Sequence, residues 1–145
     1  MATIFFDMDG TIANLYRVDN WLPMLRAENE KPYLNAEPLV NMNVFARLLN
    51  KLQKKGYKIG IISWLAKHST ADYDEKVTIA KQKWLKRHLK SVNWNEINIV
   101  RYGYNKSNFL HNEYDILFDD EENNRKEWNG VSYDEKFILD ILKSL

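Results

Sequence analysis

The stretch TIFFDMDGT, residues 3–11, decides how the chain is read. Residues 3–7 open with four β-branched or aromatic positions and run without a break into Asp7, after which come Met8, Asp9 and Gly10. A short apolar run that stops at a turn signal reads as a strand buried on both faces. Such a strand belongs in a parallel sheet.

Working outward, KIGIIS (58–63) reads as a second buried strand, and INIV (97–100) and DILFD (115–119) give two more strands. Between these runs the apolar period changes to that of a helix. Val44, Phe45, Leu48, Leu49 and Leu52 share one side, and Gly56 follows Lys54 and Lys55 as a cap. Residues 72–89 place Val77, Ala80, Trp84 and Leu85 on one face. Ser132 and Glu135 have capping-box spacing, which predicts a last helix through Phe137, Ile138, Ile141 and Leu142. Strands alternating with helices predict an α/β class: a Rossmann-like parallel sheet with helices on both faces. Residues 14–39 interrupt this order, hold all three prolines with Tyr16, Trp21 and Tyr33, and are expected to form a small cap or lid insertion on a single domain spanning 1–145.

Composition narrows the chemistry. The chain has no cysteine, which excludes thiolate nucleophiles and Cys-ligated zinc, and His68, His88 and His111 are too dispersed for a paired ligand set on one helix. Any metal would need oxygen ligands, as Mg²⁺ prefers. With 21 Lys plus Arg against 20 Asp plus Glu the net charge is +1, so nucleic acid is not the expected partner and anion binding must be local. Lys83, Lys86, Arg87 and Lys90 read as a solvated helix face. No segment has the character of a signal peptide or a membrane span, so the expected location is the cytoplasm and no membrane partner is expected.

The candidate site lies at the strand ends. Period two brings Asp7 and Asp9 to one side, Gly10 permits a sharp turn, and Thr11 adds a hydroxyl and an N–H. DDEE (119–122) follows another buried strand, with Glu121 and Glu122 expected in solvent. Like charges at ~4 Å cost about 4 kcal/mol each at an effective dielectric of ~20, which a divalent cation would relieve. Ser63 ends a third strand and Lys106 follows a fourth; both suit phosphate oxygens, with Lys81 the competing lysine. Carboxylates, Mg²⁺, a hydroxyl and a lysine together describe phosphoryl transfer.

DMDGT (7–11), Ser63, Lys106 and DILFDD (115–120), in that order, resemble the motifs of the haloacid dehalogenase-like hydrolase superfamily. Ser63, KQKWL (81–85) and Asn105-Lys106 look most like its 5′(3′)-deoxyribonucleotidase branch and small phage or bacterial relatives. The resemblance implies a Mg²⁺-dependent phosphatase acting through an aspartyl phosphate, with Asp7 as nucleophile and Asp9 as general acid and base. It implies metal ligands from the Asp7 side chain, the Asp9 carbonyl and Asp119 or Asp120. Thr11, Ser63 and Lys106 would bind phosphate, and Trp64 is the candidate substrate contact. A small phosphate ester, foremost a nucleotide, is the expected substrate. A polynucleotide end, a phosphoprotein, or a non-catalytic Mg²⁺ and phosphate-binding role are the alternatives.

Overall fold

The computed structural model describes residues 1–145. In chain order the first elements are β1 (Thr3–Phe6), β2 (Ala13–Asn14), α1 (Trp21–Arg26), α2 (Lys31–Asn35), β3 (Glu37–Pro38) and α3 (Met42–Lys54). They are followed by β4 (Lys58–Trp64), α4 (Ala71–His88), β5 (Glu96–Val100), β6 (Ile116–Phe118), α5 (Glu122–Glu127), β7 (Val131–Tyr133) and α6 (Ile138–Ser144). Five strands form one sheet in the order β5-β4-β1-β6-β7, all parallel. No helix is long and apolar enough to cross a membrane.

The continuously apolar sequence of β1 is explained by its place at the centre of the sheet, where Phe5 pairs with Gly60 on one side and Leu117 on the other. Alternate residues then serve different layers. Ile4, Phe6, Ile59, Ile61, Ile116 and Phe118 face a core completed by Phe45 and Leu49 of α3, Trp84 and Leu85 of α4, and Ile138 of α6. Phe5, Ile62 and Leu117 face the other way, against Trp128 and the partly buried Phe109 and Leu110. Helices α3, α4 and α6 therefore share one face, while the 3₁₀ turn Lys106–Phe109 and the region of α5 cover the other. Gly60 fits this arrangement because a Cβ there would lie 2.8 Å from the Phe5 ring.

Local signals place the helices. Asn41 caps α3 by accepting from Val44 N, and Thr70 caps α4 by accepting from Tyr73 N. Gly56 ends the α3 connection at φ +109°. The expected capping box at Ser132 and Glu135 is corrected: Ser132 belongs to β7, paired with Leu117, and its hydroxyl donates to Arg125 O at 3.2 Å. The ladder with β6 fixes Ser132 in extended backbone, so Asp134 caps a short 3₁₀ turn instead and α6 begins at Ile138.

Between β1 and α3 the chain makes an excursion whose two ends are joined by an antiparallel ribbon, Ala13 opposite Pro38 and Asn14 opposite Glu37. Leu15 and Tyr33 from this excursion pack on Tyr73, Val77 and Ala80, the amino-terminal half of α4. That packing sets the excursion beside the carboxyl ends of the strands.

Candidate active site

Asp7 directly follows β1, and its N–H still donates to Phe118 O at 3.0 Å, so its position is fixed by the sheet. The chain then turns tightly. Met8 O accepts from the N–H groups of Thr11, Ile12 and Ala13, and Gly10 adopts φ +79°. A Cβ on Gly10 would stand 2.4 Å from Asp120 Oδ2, so the missing side chain is the space the Asp120 carboxylate occupies.

Lys106 lies at the centre of the site with 3 % exposure. Its Nζ donates to Asp7 Oδ1 at 2.9 Å and to Asp119 Oδ2 at 2.7 Å. Burial works to lower the lysine pKa, but the charges of Asp7 and Asp119 outweigh it and carry it above the usual lysine range. Lys81 occupies a different place. Its Nζ donates to Asp9 Oδ2 at 2.9 Å, Ser63 Oγ at 2.6 Å and Trp64 O at 2.7 Å. The two lysines that compete in the sequence thus hold the two aspartates of the first loop separately.

The adjacent acids Asp119 and Asp120 differ as sharply. Asp119 is fully buried, and its oxygens accept from Lys106, from Asn124 Nδ2 at 3.1 Å and from Glu121 N at 2.9 Å. Its pKa is raised to about 6 by burial and by the Asp7 charge, against the pull of Lys106. Asp120 is half-buried and forms no ion pair. Burial and the negative charges of Asp7 and Asp119 push it to about 8, against the Thr11 hydroxyl. That hydroxyl lies 3.0 Å from Asp7 Oδ2 and 3.1 Å from Asp120 Oδ1, and it accepts from Asp120 N. A single hydroxyl proton cannot serve two carboxylates at once.

Oxygens of Asp7, Asp119 and Asp120 lie within 4.8 Å of one another. An all-oxygen set with one carboxylate lacking a cation fits Mg²⁺, which prefers such ligands. The Asp9 side chain stands outside this cluster, on Lys81. Burial raises the Asp9 pKa, opposed by the charge of Lys81.

Asp7, Asp9, Lys106 and Trp64 line one cavity of about 640 Å³. Thr11, Ser63, Asp119 and Asp120 do not line it and adjoin it through hydrogen bonds, Thr11 to Asp7 and Asp120, Ser63 to Lys81, and Asp119 to Lys106. Thr11 and Ser63 are fully buried, and Thr11 braces two carboxylates. Trp64 is half-buried, donates to Tyr104 O at 2.9 Å and packs on Tyr102 at 5.0 Å between centroids. Tyr16 and Tyr33 also line the cavity, and burial together with the charge of Asp9 holds both phenols in their neutral form well above the usual range. In the sequence Lys81 stands only as the alternative to Lys106 for the phosphate site, and its pairing with Asp9 is not foreseen there. A signal for it existed: Lys81 falls on the same helical stripe as Val77, Ala80 and Trp84, a cation at a core position. The basic residues Lys83, Lys86, Arg87 and Lys90 are exposed, as expected of a solvated face.

No protein-family model matches the sequence, and no curated protein matches it. Among solved structures the fold is similar to that of D,D-heptose 1,7-bisphosphate phosphatase from Burkholderia thailandensis, with a TM-score of 0.51 and 12 % sequence identity. The match covers 87 % of this chain and 70 % of that one. The α/β Rossmann-like parallel sheet flanked by helices that the sequence predicts is the fold the chain has, and it shares that fold with this phosphatase.

Proposed function

We propose that the chain is a Mg²⁺-dependent phosphomonoesterase of the haloacid dehalogenase-like type, acting through an aspartyl phosphate. The observation that carries this reading is the separate holding of Asp7 and Asp9, two residues apart in sequence and lining one cavity. Asp7 is fixed through both oxygens, by Lys106 and Thr11, as an in-line nucleophile requires. Asp9 is held through Oδ2 alone, and burial favours its protonated form, as a general acid requires.

In the proposed reaction an Asp7 oxygen attacks phosphorus and the ester P–O bond breaks. Asp9 gives its proton to the departing alkoxide. Asp9, now ionised, takes a proton from water, which attacks the acyl phosphate at phosphorus and releases inorganic phosphate and Asp7. Lys106 would pass from neutralising Asp7 and Asp119 to neutralising phosphate oxygens. Ser63 accepts from Lys81, so its own hydrogen is left to donate toward phosphate. Mg²⁺, held by Asp7, Asp120 and the Asp9 carbonyl with Asp119 behind, would offset charge on the phosphoryl group. Asp120 is the assigned direct ligand because Asp119 already accepts three hydrogen bonds.

The substrate we propose is a nucleotide. A cavity of about 640 Å³ walled by Tyr16, Trp21, Trp64 and Tyr102 has room and stacking faces for a planar base beside the phosphate site. Residues 14–39 would act as a small cap on a single catalytic domain.

The test is hydrolysis of p-nitrophenyl phosphate with Mg²⁺ and with EDTA, followed by a panel of deoxynucleotides, sugar phosphates and phosphorylated DNA ends. Mg²⁺-dependent turnover that is lost in Asp7→Asn, with deoxynucleotides the best substrates, is the expected result. Phosphate release by Asp7→Asn at the parent rate would reject the nucleophile. Phosphate binding without turnover by the parent chain would make it a binding module.

A further inference from the structure

Lys81 belongs to neither the phosphate-facing pair of Lys106 and Asp7 nor the solvent. Only 1 % of it is exposed, on a helix whose neighbouring stripe residues are Val77, Ala80 and Trp84. An ammonium group has three hydrogens, and here all three have acceptors: Asp9 Oδ2, Ser63 Oγ and Trp64 O, each within 2.9 Å. From the fourth side the Tyr33 ring approaches, with Nζ 5.0 Å from its centroid. A buried cation so completely surrounded has one available geometry, and the groups it touches inherit it.

Two consequences follow for the site. Asp9 is drawn toward α4 through Oδ2, while Oδ1 accepts no hydrogen bond, so one oxygen is anchored and the other is left for a ligand. Ser63 must accept from Lys81, which keeps its own hydrogen from pointing at the ammonium and leaves it free to donate elsewhere. One ammonium therefore links a carboxyl in the β1 loop to a hydroxyl at the end of β4. Tyr33 of α2 closes the same cluster, so the excursion after β1 packs directly on it.

We propose that Lys81 is a positioning residue that holds Asp9 in the geometry for proton delivery to the leaving group. This assignment rests on the phosphatase reading above. It differs from a purely structural role in one respect: loss of Lys81 should matter most where the leaving group needs a proton.

The experiment compares p-nitrophenyl phosphate, whose leaving group needs little proton transfer, with glycerol phosphate, whose alkoxide does need it. The enzymes are the parent chain, Lys81→Met, Lys81→Gln, Asp9→Asn and the double variant Lys81→Met/Asp9→Asn, all with Mg²⁺. Lys81→Met is expected to lower kcat for glycerol phosphate roughly 10- to 100-fold more than for p-nitrophenyl phosphate, within what general acid catalysis supplies. Lys81→Gln, which keeps a donor, should lie between it and the parent, and it carries the test if Lys81→Met does not fold. In the double variant the loss should be non-additive, no more than about threefold beyond Asp9→Asn, as expected when two residues act through one step. Equal losses on both substrates, or additive losses in the double variant, would overturn the assignment while leaving the phosphatase reading in place. If the parent chain hydrolyses neither substrate, both the phosphatase reading and this role for Lys81 are rejected together.

Discussion

Asp7 and Asp119, which follow adjacent parallel strands, are bridged by a single ammonium group, with Lys106 Nζ 2.9 Å from Asp7 Oδ1 and 2.7 Å from Asp119 Oδ2. The bridge joins the two strand ends into one unit and keeps two buried carboxylates from repelling each other. It also makes the stability of the fold and the chemistry of the site depend on the same residue.

Lys106→Met should therefore unfold more easily as well as lose turnover. Removing one partner of a buried ion pair leaves uncompensated charge and costs about 3 to 5 kcal/mol. Urea denaturation in EDTA measures this. Adding Asp119→Asn to Lys106→Met should recover part of the loss, because the like-charge contact with Asp7 is then gone. A double variant less stable than Lys106→Met alone would show that Asp119 contributes through other contacts.

Asp119 and Asp120 should respond oppositely to the same change. In Asp119→Asn the amide nitrogen must face either Lys106 and Asn124 or the Glu121 N–H, each of them a donor, so about 1 to 3 kcal/mol should be lost. In Asp120→Asn the group that ionises beside Asp7 only above about pH 8 is gone, so thermal stability in EDTA should hold or rise near neutral pH and rise above pH 8. That variant should instead lose the stabilisation that Mg²⁺ gives the parent chain. Melting curves of both variants with and without Mg²⁺ distinguish the two roles.

Much of this arrangement was legible in the sequence, and the reasons for the remainder are physical. β1, β4 and β6 are buried on both faces, so they carry uninterrupted apolar runs that no local signal contradicts. β7 is a three-residue edge strand, VSY, with no fully buried residue, and its serine mimics a helix cap; only pairing with β6 makes it extended. Asp119 and Asp120 are neighbours of the same type, and what separates them is supplied by Lys106, Asn124 and Thr11 from elsewhere in the chain. In the sequence Lys81 stands as the rival of Lys106 for the phosphate site, and only the packing of Tyr33 on α4 shows it buried on Asp9 and Ser63 instead.

The raised carboxyls give a pH dependence of definite sign. Asp119 and Asp120 are shifted up in the folded chain to about 6 and about 8, from 3.8 for the unperturbed group. Between these values the folded state binds more protons than the unfolded state, so their contribution to stability falls as pH rises from about 4 through 8. Melting temperatures in EDTA should accordingly show a falling contribution over this window, and Asp120→Asn should flatten its upper part. Because Mg²⁺ competes with protons for the same oxygens, its affinity should rise with pH. Calorimetric titration at pH 6 and pH 8 measures that rise, and equal affinities would mean that neither acid changes its protonation on binding the ion.

Gly10 tests whether the turn after Asp7 is built around Asp120. At φ +79° any other residue is strained, and a Cβ would meet Asp120 Oδ2 at 2.4 Å and Tyr16 Cε2 at 2.9 Å. Gly10→Ala should destabilise the chain by more than about 1 kcal/mol, the usual result where native φ is positive. Strain alone would stop there. The displaced Asp120 carboxylate should further weaken Mg²⁺ binding, and this second effect should vanish in an Asp120→Asn background while the loss of stability remains. Denaturation and Mg²⁺ titration of the two single variants and the double variant separate these effects. Unchanged Mg²⁺ affinity in Gly10→Ala would show that Asp120 can move aside without leaving its place as a ligand.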